Sequence, residues 1–271
     1  MSFVRKHPVV VAIGVLGILF MWLPIVVVVL NSVNADPTLV HWGGFTSTWL
    51  RQAVSDGQVR SGLFTSLQVG LLTTTVSVFA ALTGVLWWRR ASKLGRRLFD
   101  VSVYVRLVLP AVVSATALFL IFTRVGVQLG VPSIVIGQSV WDSAFATVIL
   151  QARMRLLDPA TEEAAADLGA RPTGVFFRVT LPALVPGILA AAVLAFSLSF
   201  DDVVTAFFLA GSRVTTLPLL IFGLIRFRVS PEVNAIGSFV TVLLIAITFV
   251  FVWIMGHSGS GRRSLTRDLG Y

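Results

Sequence analysis

The chain has 271 residues, 56% of them hydrophobic and only 12% charged. Soluble domains carry about a quarter charged residues, so this composition excludes a water-covered globule and indicates a membrane protein. The net charge of +9 matches the Lys and Arg that membrane proteins collect in cytoplasmic loops, so it argues for no nucleic-acid partner; the absence of Cys excludes a disulfide scaffold and a thiolate metal site.

Crossing the hydrocarbon takes about 20 mostly apolar residues. Six segments qualify: 8–30, 62–88, 101–122, 132–150, 183–210 and 234–255. They predict an all-α integral membrane protein of six transmembrane helices, forming one domain over residues 1–271. The first segment is too long for a signal-peptide core and no small-residue cleavage pattern follows it, so it reads as a retained span. The outer loop after it, 31–61, sets Trp42, Phe45 and Trp49 at helix-like spacing, suited to the membrane interface or to capping the outer mouth. The second segment ends in Trp87 and Trp88, which with Trp22 and Trp253 lie where an aromatic belt would stand. The third contains Arg106. The fourth is short and carries Asp142 near its middle, and the fifth carries Asp201 and Asp202 in its outer third.

Loop charge gives the orientation. With a cytoplasmic N-terminus, the inner segments hold Arg5, Lys6, Arg89, Arg90, Lys93, Arg96, Arg97, Arg153, Arg155, Arg171, Arg178, Arg262, Arg263 and Arg267, a total of 14. The outer segments hold six: Arg51, Arg60, Arg124, Arg213, Arg226 and Arg228. The positive-inside bias predicts that both termini are cytoplasmic.

The inner loop 151–182 is longer than a connection needs to be. Asp158 and Pro159 read as an N-cap and a Pro at the first helical position. The Ala-rich run 160–168 follows, and Gly169 stops it as the residue beyond the C-cap. A second short helix is expected from Thr173, with Leu181 and Pro182 closing the loop at the mouth of the fifth span. Two short helices joined at a glycine are a surface for a cytoplasmic partner.

Here the residues resemble a known family. Glu163-Ala164-Ala165, then Gly169 after three residues, then Val179-Thr180-Leu181-Pro182 after nine more, is similar to the EAA loop of permease subunits of binding-protein-dependent ABC importers. Val179 stands where that family usually has Ile. The resemblance implies the type I, MetI-like permease fold. It further implies that Glu163, Ala164, Ala165, Gly169, Leu181 and Pro182 couple the spans to an ATPase subunit. The small residues permit close helix approach, and at Gly169 a side chain would obstruct docking. Glu163 taken alone also reads as a solvated carboxylate on a helix face. Implied partners are ATP-binding subunits, a second homologous permease and an extracytoplasmic binding protein, within the lipid bilayer of a prokaryotic cytoplasmic membrane.

Further stretches are similar to spermidine/putrescine permeases of the PotC type: Trp42-Gly43-Gly44-Phe45-Thr46, the run 196–204, Leu217-Pro218-Leu219 and the run 229–235. Permeases for other small solutes, such as an aminophosphonate, share part of this pattern. The intramembrane carboxylates carry a physical argument of their own. Each costs about 2.5–3.5 kcal/mol at mid-bilayer, so Asp142, Asp201 and Asp202 should face protein or a wet path. Three carboxylates against one intramembrane Arg106 favour a cationic substrate. Neighbours on a helix point about 100° apart, so one of Asp201 and Asp202 is expected on the pathway and the other against a neighbouring helix. The competing reading makes these aspartates structural, one capping a helix break and Asp142 pairing with Arg106. Phe207 and Phe208 read as packing residues or as an outer gate.

His7, His41 and His257 have no carboxylate at metal-binding spacing, so no metal site is assigned. The chain has no Gly-x-x-x-x-Gly-Lys-Ser/Thr phosphate loop. It is therefore expected to be a non-catalytic subunit that binds no cofactor, with ATP and Mg held on the partner ATPase. A gradient-driven secondary transporter is the alternative from another class, and it would show inverted repeats and broken helices.

Overall fold

A computed structural model of the chain describes residues 8–227 and 230–260. Arg5, Lys6, His7, Arg228, Val229, Arg262, Arg263 and Arg267, and with them both termini, lie outside the described residues, as do the side chains of Trp253 and His257. Among the described residues the regular elements are helices, apart from an isolated bridge between Asn34 and Phe45. Five continuous helices are long and apolar enough to cross a membrane, and a sixth span results if one bent pair counts as a single crossing. The all-helical, multi-span expectation therefore holds.

One compact unit comprises residues 8–61 and 220–247 of the described chain. Its α1, Pro8–Ser32, is exposed along nearly its whole length, as a lipid-facing helix must be. The segment that follows α1 is tightly built. The Asn34 carboxamide accepts from the amides of Asp36 (3.1 Å) and Gly43 (2.9 Å), and the Trp49 indole donates to the Asn34 carbonyl at 2.8 Å. Amides of Thr38 and His41 donate to Asp36 and pull its carboxyl down to about 2. Trp42 and Phe45 meet edge to face at 5.0 Å inside this loop, and only Trp49 lies in the short helix α2, Thr48–Ser55. The single helix suggested by their spacing is thus corrected: the hydrogen-bonded turns at Asn34 and Asp36 outcompete it.

The other unit, residues 62–219 with 248–260 of the described chain, holds the main core. α3 spans Gly57–Arg90, α4 Lys93–Val108 and α5 Ala111–Arg124. The third span was expected to be continuous, and it is not. Leu109 and Pro110 both take extended backbone, and α4 and α5 meet at 102°. Proline has no N–H to donate and disfavours helical geometry in the residue before it, which explains the break.

α6, Val131–Arg155, is the most buried candidate span and extends past the expected 132–150 at its C-terminal end. Its Ala146, Leu150 and Met154 pack against Ala81 and Val85 of α3 and against Leu184 and Ala191 of a later helix. A second cluster joins Val69, Phe122, Ile134, Val135 and Leu209. The polar side chains that weaken the apolar signal of α6 point into protein rather than lipid.

After α7, Pro159–Asp167, the chain turns at Gly169 and enters α8, Pro172–Val175. The expected second short helix begins at Pro172, but it does not end before the fifth span. α8 runs through one wide turn, Phe176–Thr180, in which the Leu181 amide reaches the Phe176 carbonyl, and on into α9, Leu181–Asp201. Leu181 and Pro182 therefore lie within a continuous helical run. The fifth span, expected over 183–210, ends at Asp201. A separate α10, Val203–Leu209, follows, then α11, Leu217–Phe227, inside what read as a loop, and α12, Pro231–Ser260.

Trp88 departs from the belt assignment. The Arg96 and Arg155 guanidinium groups lie over its ring at 5.5 and 5.4 Å, tying α4 and α6 to the end of α3. Trp87 and Trp22 are exposed, as belt residues should be.

Candidate functional site

Asp142, Asp201 and Asp202 line one cavity of about 420 Å³. α5 contributes Ala111, Ser114, Ala115 and Leu118; α6 contributes Gly137, Val140, Trp141 and Asp142; the end of α9 and the start of α10 contribute Ser197, Leu198, Asp201, Asp202 and Thr205. Among the described residues no Lys or Arg lines it. The sequence named the three carboxylates. It did not name Trp141, Ser114, Ser197 or Thr205, whose shared location arises only from helix packing.

Each carboxylate is placed by a distinct local cause. Asp142 sits in the middle of the buried helix α6, only 3% exposed, and its Oδ2 has no hydrogen-bond partner. The suggested pairing with Arg106 does not occur. The Arg106 guanidinium donates to the Val140 carbonyl (2.9 Å) and the Ser143 hydroxyl (3.3 Å), and it lines a separate small pocket. Asp201 is the last residue of α9 and is exposed. Asp202 has extended backbone and caps α10, its Oδ1 accepting from the Thr205 amide at 2.9 Å. Asp201 and Asp202 are thus not neighbours on one helix, and the 100° argument does not apply to them. Both face the cavity, so the capping role and the cavity-lining role coexist in Asp202.

The wall of the cavity is held by a buried polar cluster. Gln138 Oε1 accepts from the hydroxyls of Ser199 (2.6 Å) and Thr73 (3.2 Å), while its Nε2 donates to the Ser199 carbonyl (3.3 Å). These bonds fix α3, α6 and α9 relative to one another away from water, where an unpaired amide would be costly. Gly137 lets α10 approach: a Cβ there would overlap the Leu209 side chain and stand 2.8 Å from Thr205 Cγ2. Phe208 stacks obliquely on Phe119 at 6.5 Å, whereas Phe207 is exposed.

The segment 158–182 is the second candidate site. Asp158 accepts from the Ala160 amide at 3.0 Å and starts α7. Gly169 ends it at φ +83°, with its amide bonded to the Ala166 carbonyl and that of Ala170 to the Ala165 carbonyl. An L-residue pays about 1–2 kcal/mol for this left-handed backbone. A Cβ at Gly169 would meet nothing within 4 Å in this chain, so the glycine answers a conformational need rather than a packing one. Glu163 and Ala164 are exposed and Ala165 is half-buried. Glu162, which the sequence reading passed over, is instead engaged within the chain: the Arg89 guanidinium lies 2.7 Å from it and holds its carboxyl below the usual carboxylate range. Among the described residues no cluster of His, Asp and Glu could hold a metal.

Comparison with known proteins gives the family and the fold. Residues 73–264 match the family described as binding-protein-dependent transport system inner membrane component. The chain is 30% identical over 266 residues to the putrescine transport system permease protein PotI of Escherichia coli K12, covering 96% of this chain and 95% of that one. It is also 30% identical over 225 residues to the spermidine/putrescine transport system permease protein PotC of the same organism, covering 83% and 85%. Among solved structures, a bacterial ABC transporter involved in the import of the acidic polysaccharide alginate superposes with a TM-score of 0.71 at 16% identity, over 93% of this chain and 96% of that one.

Proposed function

The chain belongs to the family of binding-protein-dependent transport system inner membrane components, and from that premise we propose that it is the permease subunit of an ATP-driven importer of polyamines such as putrescine or spermidine. The observation that carries the substrate class is the cavity: three carboxylates, the Trp141 ring and no basic side chain. A polyamine loses water from several ammonium groups on entering such a site, and carboxylates and aromatic faces replace those contacts. An aminophosphonate would bring its phosphonate into a cavity that has no cationic side chain to receive it. The relatives named for putrescine and spermidine/putrescine transport support the same reading.

In this reading α7 presents Glu163, Ala164, Ala165 and Gly169 to an ATPase subunit, and Leu181 and Pro182 carry its movement into α9. The ATPase holds ATP and Mg, and this chain supplies no catalytic group. A second homologous permease completes the pathway, and an extracytoplasmic binding protein delivers the substrate. Both termini face the cytoplasm, in keeping with the loop-charge bias.

Reconstitution of the complex with its ATPase, partner permease and binding protein in proteoliposomes tests this. Uptake of labelled putrescine should require ATP and survive collapse of the membrane potential. Uptake that follows the potential without ATP would favour a secondary transporter. ATP-driven transport that excludes polyamines would remove the substrate and leave the class.

A further inference from the structure

One carboxylate oxygen joins three elements at the cytoplasmic end of the molecule. Glu162 Oε1, on α7, accepts from Arg89 Nη1 at 2.7 Å and from the Thr180 hydroxyl at 2.6 Å. Arg89 is the penultimate residue of α3, and Thr180 closes the wide turn that leads into α9. The group is partly shielded, with the Arg89 and Glu162 side chains 29% and 23% exposed and Thr180 buried. It stands on a groove of about 380 Å³, which Phe176 and Ala170 also line. The Arg96 guanidinium donates to the carbonyls of Arg89 (2.7 Å) and Ala91 (3.1 Å) and so braces the end of α3.

Two features separate this from an ordinary surface ion pair. Exposed pairs contribute little, about 0–1 kcal/mol, because water competes for both partners. Here the acceptor is shared by a buried hydroxyl and a guanidinium on another helix, so breaking the contact removes a link from α7 to two spans together. Thr180 also belongs to a five-residue turn in which the regular helical ladder is replaced by a longer loop of backbone. Such turns are local weak points in a helix and occur frequently at functional sites.

We propose that Glu162 is a positioning residue that transmits movement of α7 to α3 and, through Thr180 and the wide turn, to α9. This rests on the importer reading above and adds to it a route inside this chain. Glu163 and the small residues beside it form the outward, docking face of α7, and Glu162 on its inward face passes the displacement on. The carboxylate charge matters because it holds a guanidinium and a hydroxyl on one oxygen.

The test uses the complete complex in proteoliposomes, with labelled putrescine uptake and ATP hydrolysis measured on the same sample. Glu162→Gln and Arg89→Glu should each lower uptake per ATP hydrolysed about tenfold, in the range of allosteric coupling free energies, while the ATPase still co-purifies. The exchanged pair Arg89→Glu/Glu162→Arg should recover to within about threefold of wild type, since opposite charges again face each other. Thr180→Val, which keeps the ion pair, should lose about threefold. Wild-type uptake per ATP in Glu162→Gln would overturn the proposal, and so would an exchanged pair no better than the single variants. A wild-type complex that hydrolyses ATP and imports solute normally in the same assay confines either failure to Glu162. A wild-type complex that does neither overturns the importer reading along with it.

Discussion

The turn at Gly169 is made by near neighbours in sequence: Asp158 caps α7, and the amides of Gly169 and Ala170 reach carbonyls three and five residues back. The cavity around Asp142 is assembled instead from α5, α6, α9 and α10, and a cluster centred on Gln138 fixes its wall. One glycine serves each region for a different reason, backbone conformation at Gly169 and close helix approach at Gly137. At Gly169 an added side chain meets no neighbour inside this chain, and only the backbone conformation opposes it. Packed structure of the kind around Gly137 fails within the chain.

The largest expected effect breaks the first region alone. Gly169→Trp should reduce uptake about a hundredfold or more while membrane abundance stays at the wild-type level, because a bulky side chain on the open surface compounds a backbone cost of about 1–2 kcal/mol. Uptake normalised to inserted protein measures it, and normal transport by this variant would remove the docking assignment.

The next sharpens the contrast between the glycines. Gly137→Ala should destabilise the protein by about 1–3 kcal/mol through overpacking against Leu209 and Thr205, read as an earlier thermal transition in detergent. Trimming Leu209 to Ala should relieve part of that loss. At Gly169 the Ala variant should be relieved by no such trimming, whereas Asn, which tolerates left-handed backbone, should be milder than Ala. If one second-site change repairs both glycines, the distinction drawn here fails.

These contrasts also explain what could be read from the sequence. The loop around Gly169 was legible because its cap, its helix and its stop are consecutive, and the EAA pattern lies on the same stretch. The spans α1 and α12 were legible because lipid demands unbroken apolar runs. α6 gave the weakest signal for a physical reason: it faces protein, so Gln138, Asp142, Ser143 and Thr147 dilute its apolar character. The break at Pro110 was missed because apolar composition continues across it, whereas a helix break capped by one of Asp201 and Asp202 was legible only as the competing reading. Pro110 was the available signal for the first, and the Asp at 202 followed by β-branched residues was a weak one for the second. Glu162 could not be singled out, since Arg89 and Thr180 are remote from it in sequence and only packing brings the three together.

The central claim is that the cavity carboxylates serve a cationic substrate. Asn at position 202 retains the capping of α10, since Asn and Asp cap helices about equally well, and it removes the charge. Asp201→Asn/Asp202→Asn therefore separates charge from structure, and Asp142→Asn extends the test to the buried, unpartnered carboxylate. In cells or proteoliposomes supplied with labelled putrescine, the double variant should transport about tenfold less per inserted molecule, with ATPase association unchanged. Normal putrescine uptake by the double variant would contradict the account and return the aspartates to a purely structural role.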